Sequence, residues 1–332
     1  MRLLLNTIFK LTAAQRASLQ VIWPDLEIAE HNTGAVDQVD GTGVEILVTE
    51  QVPRDLAKWR NLRWVQLLSA GSNQLAGHPI RETQIAVTTA SGTHGVPIAQ
   101  YVSCTILMVA HRMPQVLQYK ETQHWPNRLA LASRPLRGQT VGILGYGSIG
   151  RECARQLSAF GMRILCLKRD PLVRRDDGFN AWPGTGDPDG QIPAVWFGPT
   201  QLAEFLPQCD YVVVTVPSTS ETEGMLGLAQ LALMKRSAHL IVISRGGIVP
   251  EAVLAGALRS GLLAGAVIDC YVKEPLNAPH EFFALPNLIM TPHMSGVYEG
   301  FWDHLVDLLA QNLHRYHQGA PLLNPVSHRF GY

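Results

Sequence analysis

Three loops in the second half of the chain each carry an ionisable residue directly after a short apolar run. Ser244-Arg245-Gly246-Gly247 follows Leu240–Ile243, Asp269 through Leu276 follows Ala264–Ile268, and Thr291-Pro292-His293 follows Leu288–Met290. Runs of this length, bounded by turn residues, read as buried strands. If the three strands are parallel, Arg245, Glu274 and His293 gather at one sheet edge. The set suits chemistry at a carbonyl or hydroxyl carbon next to a carboxylate. His293 can give a proton to the oxygen, or take one from it, near neutral pH. Glu274 would orient the imidazole and favour the imidazolium. Arg245 can hold a carboxylate in a two-pronged contact and polarise the adjacent carbonyl. Taken singly, each has an ordinary surface reading; three at successive strand ends favour a site.

A fourth loop would bring the other reactant. The strand Val141–Leu144 runs into Gly145-Tyr146-Gly147-Ser148-Ile149-Gly150, a G-x-G-x-x-G spacing, and then into an amphipathic stretch with Cys153, Ala154, Leu157 and Phe160 at helical spacing. Gly145 permits the tight turn, Gly147 lets the backbone approach a pyrophosphate, and Gly150 lets helix and strand pack closely. The helix start adds N–H groups and a positive dipole end. A dinucleotide held here would serve hydride transfer at the Arg245–Glu274–His293 edge. About 20 residues on, where an acidic residue usually binds the adenine ribose, the register puts Lys168, with Arg169 next. Two cations suit a 2′-phosphate and lean towards NADP over NAD. Asp170 would serve NAD if the strand ended two residues later.

The elements that must position these loops alternate along the chain. Leu3–Leu5, Glu45–Thr49, Leu62–Leu68 and Ile85–Thr88 read as strands, Thr12–Val21 as a helix capped by Thr12, and Val52–Asp55 as a helix start. Val96–Met113 is one long apolar helix pattern, closed by Gln123-His124-Trp125-Pro126. After the glycine loop come strands at Arg163–Leu167, Tyr211–Val216 and the three named above. This rhythm predicts an α/β protein, parallel sheets with helices on both faces, whose functional loops lie at carboxyl ends of strands. The loops Ser69–Asn73 and Thr89–Thr93 are in such places and would face a crevice. Tyr298–His317 shows a helical stripe of Phe301, Trp302, Leu305, Leu308, Leu309 and Leu313, which reads as core. A helix there would close a discontinuous first domain, residues 1–95 plus 297–332, around a dinucleotide-binding domain, 96–296. Pro171–Pro199 is rich in Gly, Pro and Asp and long for a connection. It reads as a surface excursion beside the nucleotide site, with a solvated loop the simpler account.

Composition limits the classes available. The chain has 332 residues, 46% apolar and 16% charged, enough to bury two cores and unlike a disordered chain. Lys+Arg (27) equals Asp+Glu (27), which argues against a general electrostatic binder of nucleic acid. The five cysteines are scattered with no C-x-x-C pair, as expected of reduced thiols in a cytoplasmic protein without a structural metal. Met1-Arg2-Leu3-Leu4-Leu5-Asn6 breaks its apolar run too early for a signal peptide, and no run reaches the roughly 18 apolar residues of a membrane helix.

With these residues in view, the chain resembles the D-isomer-specific 2-hydroxyacid dehydrogenases. The matching features, in the family's order, are the glycine motif, Asp210 with Pro217-Ser218-Thr219-Ser220-Glu221-Thr222, and Arg245-Gly246-Gly247-Ile248-Val249. Gly265 through Asp269, Glu274-Pro275-Leu276 and Pro292-His293 complete the set. The resemblance implies two Rossmann-like domains with the active site in the cleft between them, and dimers formed through the nucleotide-binding domains. It implies an NAD(P)-dependent exchange of a small 2-keto acid and its D-2-hydroxy acid. His293 is then the acid/base, Glu274 its partner and Arg245 the substrate anchor. Backbone N–H groups of Ala70, Gly71 and Ser72 would help hold the substrate carboxylate. Asp269 would contact the nicotinamide amide, and Pro217 and Thr222 would line the cofactor. This chain departs from the family at Val242 (usually Asn), Pro250 (Asp), Thr215 (often His) and Gln100-Tyr101 (often Glu-His). A dinucleotide-sensing corepressor-like protein shares the motifs and stays an alternative. A phosphite or formate dehydrogenase is a further one, although a formate enzyme would carry Gln in place of Glu274.

Overall fold

The computed structural model describes residues 1–31 and 35–327, and the chain within it divides into two compact units. The first comprises Met1–His94, Gly178–Pro183 and the chain from Tyr298 onward; the second, Gly95–Asp177 and Gly184–Val297. Residues 328–332, which the sequence reading places in the first domain, lie outside the described residues.

In the first unit, β1 (Arg2–Asn6), β2 (Glu27–His31), β3 (Ile46–Thr49), β4 (Trp64–Leu67) and β5 (Ala86–Thr88) form a parallel sheet of order β2-β1-β3-β4-β5. Leu3-Leu4-Leu5 is apolar without alternation because both faces of the sheet are covered. Leu3 and Leu5 pack with Leu19 of α1 (Ala13–Ile22), Trp64, and Leu309 and Leu313 of the C-terminal helix, while Leu4 packs on the other face with Leu47 and Val65. Thr12 and Gln15 close a capping box at the start of α1, each side chain accepting from the other's backbone N–H. One strand goes unannounced in the sequence here, and one expectation fails. Strand β2 has no apolar run to announce it, since an edge strand needs burial on fewer sides. The helix start at Val52–Asp55 yields only one 3-10 turn, Leu56–Lys58.

In the second unit the long apolar pattern is two helices, α2 (Gly95–Ala110) and α3 (Met113–Thr122). Pro114 lacks an N–H and would clash with the preceding turn, so α2 must stop; the chain restarts through Arg112 (φ 53) with the proline in the first turn of α3. Strands β6 (Thr140–Leu144), β7 (Arg163–Leu167), β8 (Val195–Phe197), β9 (Tyr211–Val214), β10 (His239–Val242), β11 (Gly265–Ile268) and β12 (Leu288–Met290) are ordered β12-β11-β10-β9-β6-β7-β8, all parallel. Helices α4 (Ser148–Ala159), α5 (Leu202–Phe205), α6 (Leu228–Leu231) and α7 (Glu251–Arg259) connect them, and α8 (Phe301–His317) belongs to the first unit.

The Pro171–Pro199 excursion is a built part of the fold, against the expectation of a solvated loop. Its end is strand β8. Its flanks are fastened to α4 and the glycine motif by buried polar groups. Arg151 pairs with Asp176 (3.1 Å) and donates to the Asp187 and Arg174 carbonyls, and Glu152 accepts from Gly186 N–H (2.7 Å). Tyr146 donates to the Asp187 carboxylate (2.7 Å), which also accepts from Gln191 and Ile192 N–H groups. Its middle, Gly178–Pro183, counts with the first unit, so the expected 96–296 block is interrupted there.

Candidate active site

The register Val242↔Ile268 and Ile268↔Met290 brings the three reactive loops to one edge of the second unit's sheet. The loops touch: a Cβ on Gly246 would lie 2.1 Å from the Tyr271 carbonyl carbon, so glycine is required for the close approach rather than for a turn. Arg245 is largely withdrawn from solvent and its Nη1 donates to the Ser244 carbonyl (2.7 Å). Burial lowers its pKa from the usual arginine value, against the pull of Cys270 and Glu274. Glu274 receives the Tyr271 N–H on Oε1 (2.8 Å) and faces His293 Nδ1 with Oε2 at 2.7 Å. That contact assigns the Nδ1 proton to the carboxylate side and leaves Nε2 as the nitrogen that can exchange a proton with a substrate.

His293 has a left-handed backbone (φ 52), an uncommon conformation for a side-chain-bearing residue, and must be held there. Asp269 does the holding. It is fully buried and accepts three hydrogen bonds, from Thr291 Oγ1 (2.6 Å) and Met294 N–H (2.9 Å) on Oδ1 and from Ser295 N–H (2.9 Å) on Oδ2. Behind it, Tyr101 Oη lies 2.6 Å from Thr291 Oγ1, and Tyr271 Oη donates to the Thr291 carbonyl (3.0 Å). Because Thr291 gives its hydroxyl proton to Asp269, Tyr101 is the donor in their contact. Burial pushes both phenols up to about 12, so they stay protonated and able to donate. Sequence reasoning passed over Thr291, Tyr101 and Tyr271; Tyr101 standing where the family often has His was the signal available.

The glycine loop on the same edge fits a dinucleotide phosphate. Gly145 has φ +99, and a Cβ there would sit 2.8 Å from Thr215 Oγ1, which itself donates to the Gly145 carbonyl (2.8 Å). A Cβ on Gly150 would lie 2.3 Å from that same carbonyl oxygen. Gly147, by contrast, has nothing within 4 Å of a built Cβ and caps α4 with no side-chain hydrogen bond, leaving the backbone open to an anion at the helix start. Ser244 Oγ is buried without a hydrogen-bond partner among the described residues, as suits a hydroxyl that a bound molecule satisfies. The buried Tyr146 ring packs on Trp196, Ile149 packs against the core, and Ser148 opens α4. Thr222 Oγ1 donates to the Pro217 carbonyl (2.6 Å), rigidifying the turn after β9.

At the far end of β7 the strand stops at Leu167, and Lys168 N–H still pairs with the Phe197 carbonyl (3.1 Å), so Lys168 occupies the strand-end place. Its Nζ donates to the Val173 carbonyl (2.5 Å), and its pKa is lowered by burial first and by Arg151 second. Arg169 lies 3.6 Å from Glu221, and Asp170 accepts the Leu172 N–H (3.0 Å) in a local turn. Ala70, Gly71 and Ser72 follow β4 in the first unit, where Ser69 Oγ donates to the Gly71 carbonyl (2.6 Å).

Known proteins match this arrangement. Residues 104–295, more than half of the chain, match the family model described as D-isomer specific 2-hydroxyacid dehydrogenase, NAD binding domain. The chain is 34% identical to (S)-sulfolactate dehydrogenase of Chromohalobacter salexigens over 77% of its own length and 79% of the relative's. It is 33% identical to glyoxylate reductase of Thermococcus gammatolerans over 67% of its length and 63% of that protein's. A solved D-isomer specific 2-hydroxyacid dehydrogenase from Xanthobacter autotrophicus, in complex with NADPH and MES, is 26% identical with a TM-score of 0.83, covering 100% of this chain and 99% of that one. Two parallel Rossmann-like sheets, a fitting glycine loop and these likenesses together place the chain in the D-isomer specific 2-hydroxyacid dehydrogenases, as an NAD(P)-dependent oxidoreductase of 2-keto and 2-hydroxy acids.

Proposed function

We propose that this enzyme reduces a small 2-keto acid, of the glyoxylate or hydroxypyruvate kind, to its D-2-hydroxy acid with NADPH, or runs the reverse. The observation that carries it is the 2.7 Å pair of His293 with Glu274, on loops adjoining that of the half-buried Arg245. A nicotinamide dinucleotide on the glycine loop supplies or accepts the hydride. Arg245 binds the substrate carboxylate and draws charge towards the neighbouring carbonyl oxygen. His293 Nε2 gives its proton to the oxygen as negative charge develops there, and Glu274 keeps the ring oriented throughout. Asp269 holds the His293 loop and has a further lone pair for the nicotinamide amide. Pro217 and Thr222 line the cofactor, and the amides of Ala70, Gly71 and Ser72 add donors to the carboxylate.

His293→Asn is expected to lower kcat by about a thousandfold while the dinucleotide Kd hardly moves. Near-normal turnover of the best keto acid by that variant rejects the acid/base role. For the cofactor, Lys168 at the end of β7, Asp170 spent on its own turn, and a relative in complex with NADPH all support NADP. Comparing kcat/KM for NADPH and NADH on one keto acid tests this, and a large NADH preference overturns it. Self-association as a homodimer is supported by an open groove of about 620 Å³ along α2, lined by Cys104, Leu107, Met108 and Met113, and by exposed Leu117, Trp125 and Leu129 after it. A solution mass of one chain would count against it. Five unpaired cysteines, four of them buried, suit a reducing cytoplasmic setting, which cell fractionation checks.

A further inference from the structure

In the second unit's sheet β6 lies between β7 and β9. The chain leaves β6 towards β7 on one side and later returns to β9 on the other. The carboxyl end of β6 is therefore the switch point, where an open α/β sheet binds its ligand. The glycine loop sits there and is fastened to both flanks. Gly145 N–H donates to the Leu167 carbonyl at the end of β7 (2.8 Å), and Thr215 Oγ1, just past β9, donates to the Gly145 carbonyl (2.8 Å). Arg169 stands two residues past β7, and Glu221 stands on the loop after β9. Their side chains meet at 3.6 Å. Strands β7 and β9 are two spacings apart, roughly 10 Å, so the pair reaches from one flank of the glycine loop to the other.

Both ends of the pair rest on tied backbone. On the β9 side, Thr222 Oγ1 accepts from Thr219 N–H (2.8 Å) and donates to the Pro217 carbonyl (2.6 Å). Glu223 N–H donates to the Thr219 carbonyl (2.9 Å), and Glu221 N–H donates to Thr219 Oγ1 (3.3 Å). On the β7 side, Lys168 is anchored by its N–H to Phe197 and by its Nζ to Val173, and Asp170 accepts the Leu172 N–H. What can move here at little cost is the two side chains, 42% exposed at Arg169 and 76% at Glu221.

A 2′-phosphate brings negative charge to the end of β7 and competes with the Glu221 carboxylate for the same guanidinium. A ribose hydroxyl carries no charge and leaves the ion pair in place. We infer that Glu221 is a specificity-determining residue for the dinucleotide: it holds Arg169 in the free enzyme, and Arg169 exchanges this carboxylate for the 2′-phosphate of NADPH. The exchange subtracts the worth of the ion pair from NADPH binding and nothing from NADH binding. Glu221 thereby tempers the preference that Lys168 and Arg169 create. The inference rests on the NADP reading proposed above.

The test is calorimetric titration of the whole protein with NADPH and with NADH, at low salt and without substrate, in wild type, Glu221→Gln, Arg169→Ala and the double variant. Glu221→Gln is expected to raise the ratio of the NADH Kd to the NADPH Kd about threefold to fivefold, the range of an exposed ion pair. Arg169→Ala is expected to lower that ratio about tenfold, through the lost charged hydrogen bonds. In the Arg169→Ala background, Glu221→Gln should no longer raise it. A ratio unchanged or lowered by Glu221→Gln overturns the inference, as does a ratio unmoved by Arg169→Ala. An equal rise with and without Arg169 also overturns it, because Glu221 would then act on the phosphate by its charge alone. A wild type that binds NADH far more tightly than NADPH rejects the NADP reading, and this exchange with it. A wild type that prefers NADPH yet is indifferent to Glu221→Gln rejects the exchange and leaves the NADP reading standing.

Discussion

The backbone at His293 is held by a chain of groups behind its loop. Tyr101 gives its proton to Thr291, Thr291 gives its own to Asp269, and Asp269 binds the two amides that follow His293. The left-handed backbone at His293 persists because these contacts over-determine it. Tyr101→Phe removes the first donor and leaves the half-buried Thr291 hydroxyl short of one hydrogen bond. A lost bond of this kind is worth roughly 1–1.5 kcal/mol, so kcat is expected to fall about tenfold with the dinucleotide KM little changed. A variant with normal kcat and a raised dinucleotide KM would show that Tyr101 serves binding instead. The proposed trio could be named from the sequence because each member lies on the loop that follows an apolar strand. Tyr101 could not, because its partner Thr291 is 190 residues away.

Parallel strands divide labour between their two ends. In the second unit's sheet the carboxyl ends carry Arg245, Glu274 and His293, and the amino ends carry groups that matter for stability. His239, the first residue of β10, stacks on Tyr211 (5.8 Å between centroids) and fills the space that a Cβ on Gly265 would need. Burial first, then the Arg134 charge, lowers its pKa from 6.5 to about 4. The unfolded chain thus takes up this proton near pH 6.5 while the native state resists until about pH 4. The stability contributed by neutral His239 is full above pH 6.5 and is lost as pH falls towards 4, by on the order of 3 kcal/mol. Urea midpoints measured across that range should decline, and His239→Leu should flatten the decline. An equal decline in the variant would assign the effect to other groups. The element boundaries themselves were largely readable where runs were buried on both faces, as at β6 and β7, and two edge strands, β2 and β8, went unread.

Across the molecule, the chain's two ends build one unit. Helix α8 lays Leu309 and Leu313 against Leu3, Leu5, Leu19 and Trp64, so the last helix covers the first strand. Leu313 is fully buried, and Leu313→Ala should destabilise the protein by about 3 kcal/mol, as a core truncation rather than a terminal one. Denaturant unfolding checks this, and a change below about 0.5 kcal/mol would mean that α8 is dispensable to that core. The apolar stripe of α8 revealed that it had to be buried. It did not reveal against what, because a stripe specifies a face and not its partner.

What the sequence determined by itself was local and periodic: buried parallel strands from continuous apolar runs, a tight strand-to-helix turn from three glycines, and three ionisable residues on the loops after strands. Each follows from backbone sterics and from the need to cover both faces of a sheet. Only the tertiary structure decided which distant groups meet. It placed Glu274 on His293 Nδ1, Asp269 beneath the His293 loop, and Trp182 on the Thr93 carbonyl. Such contacts join residues of wide separation through hydrogen bonds and shape, neither of which leaves a period in the chain. That is why Pro171–Pro199 read as a loop in the sequence and proved to be a built part of the fold.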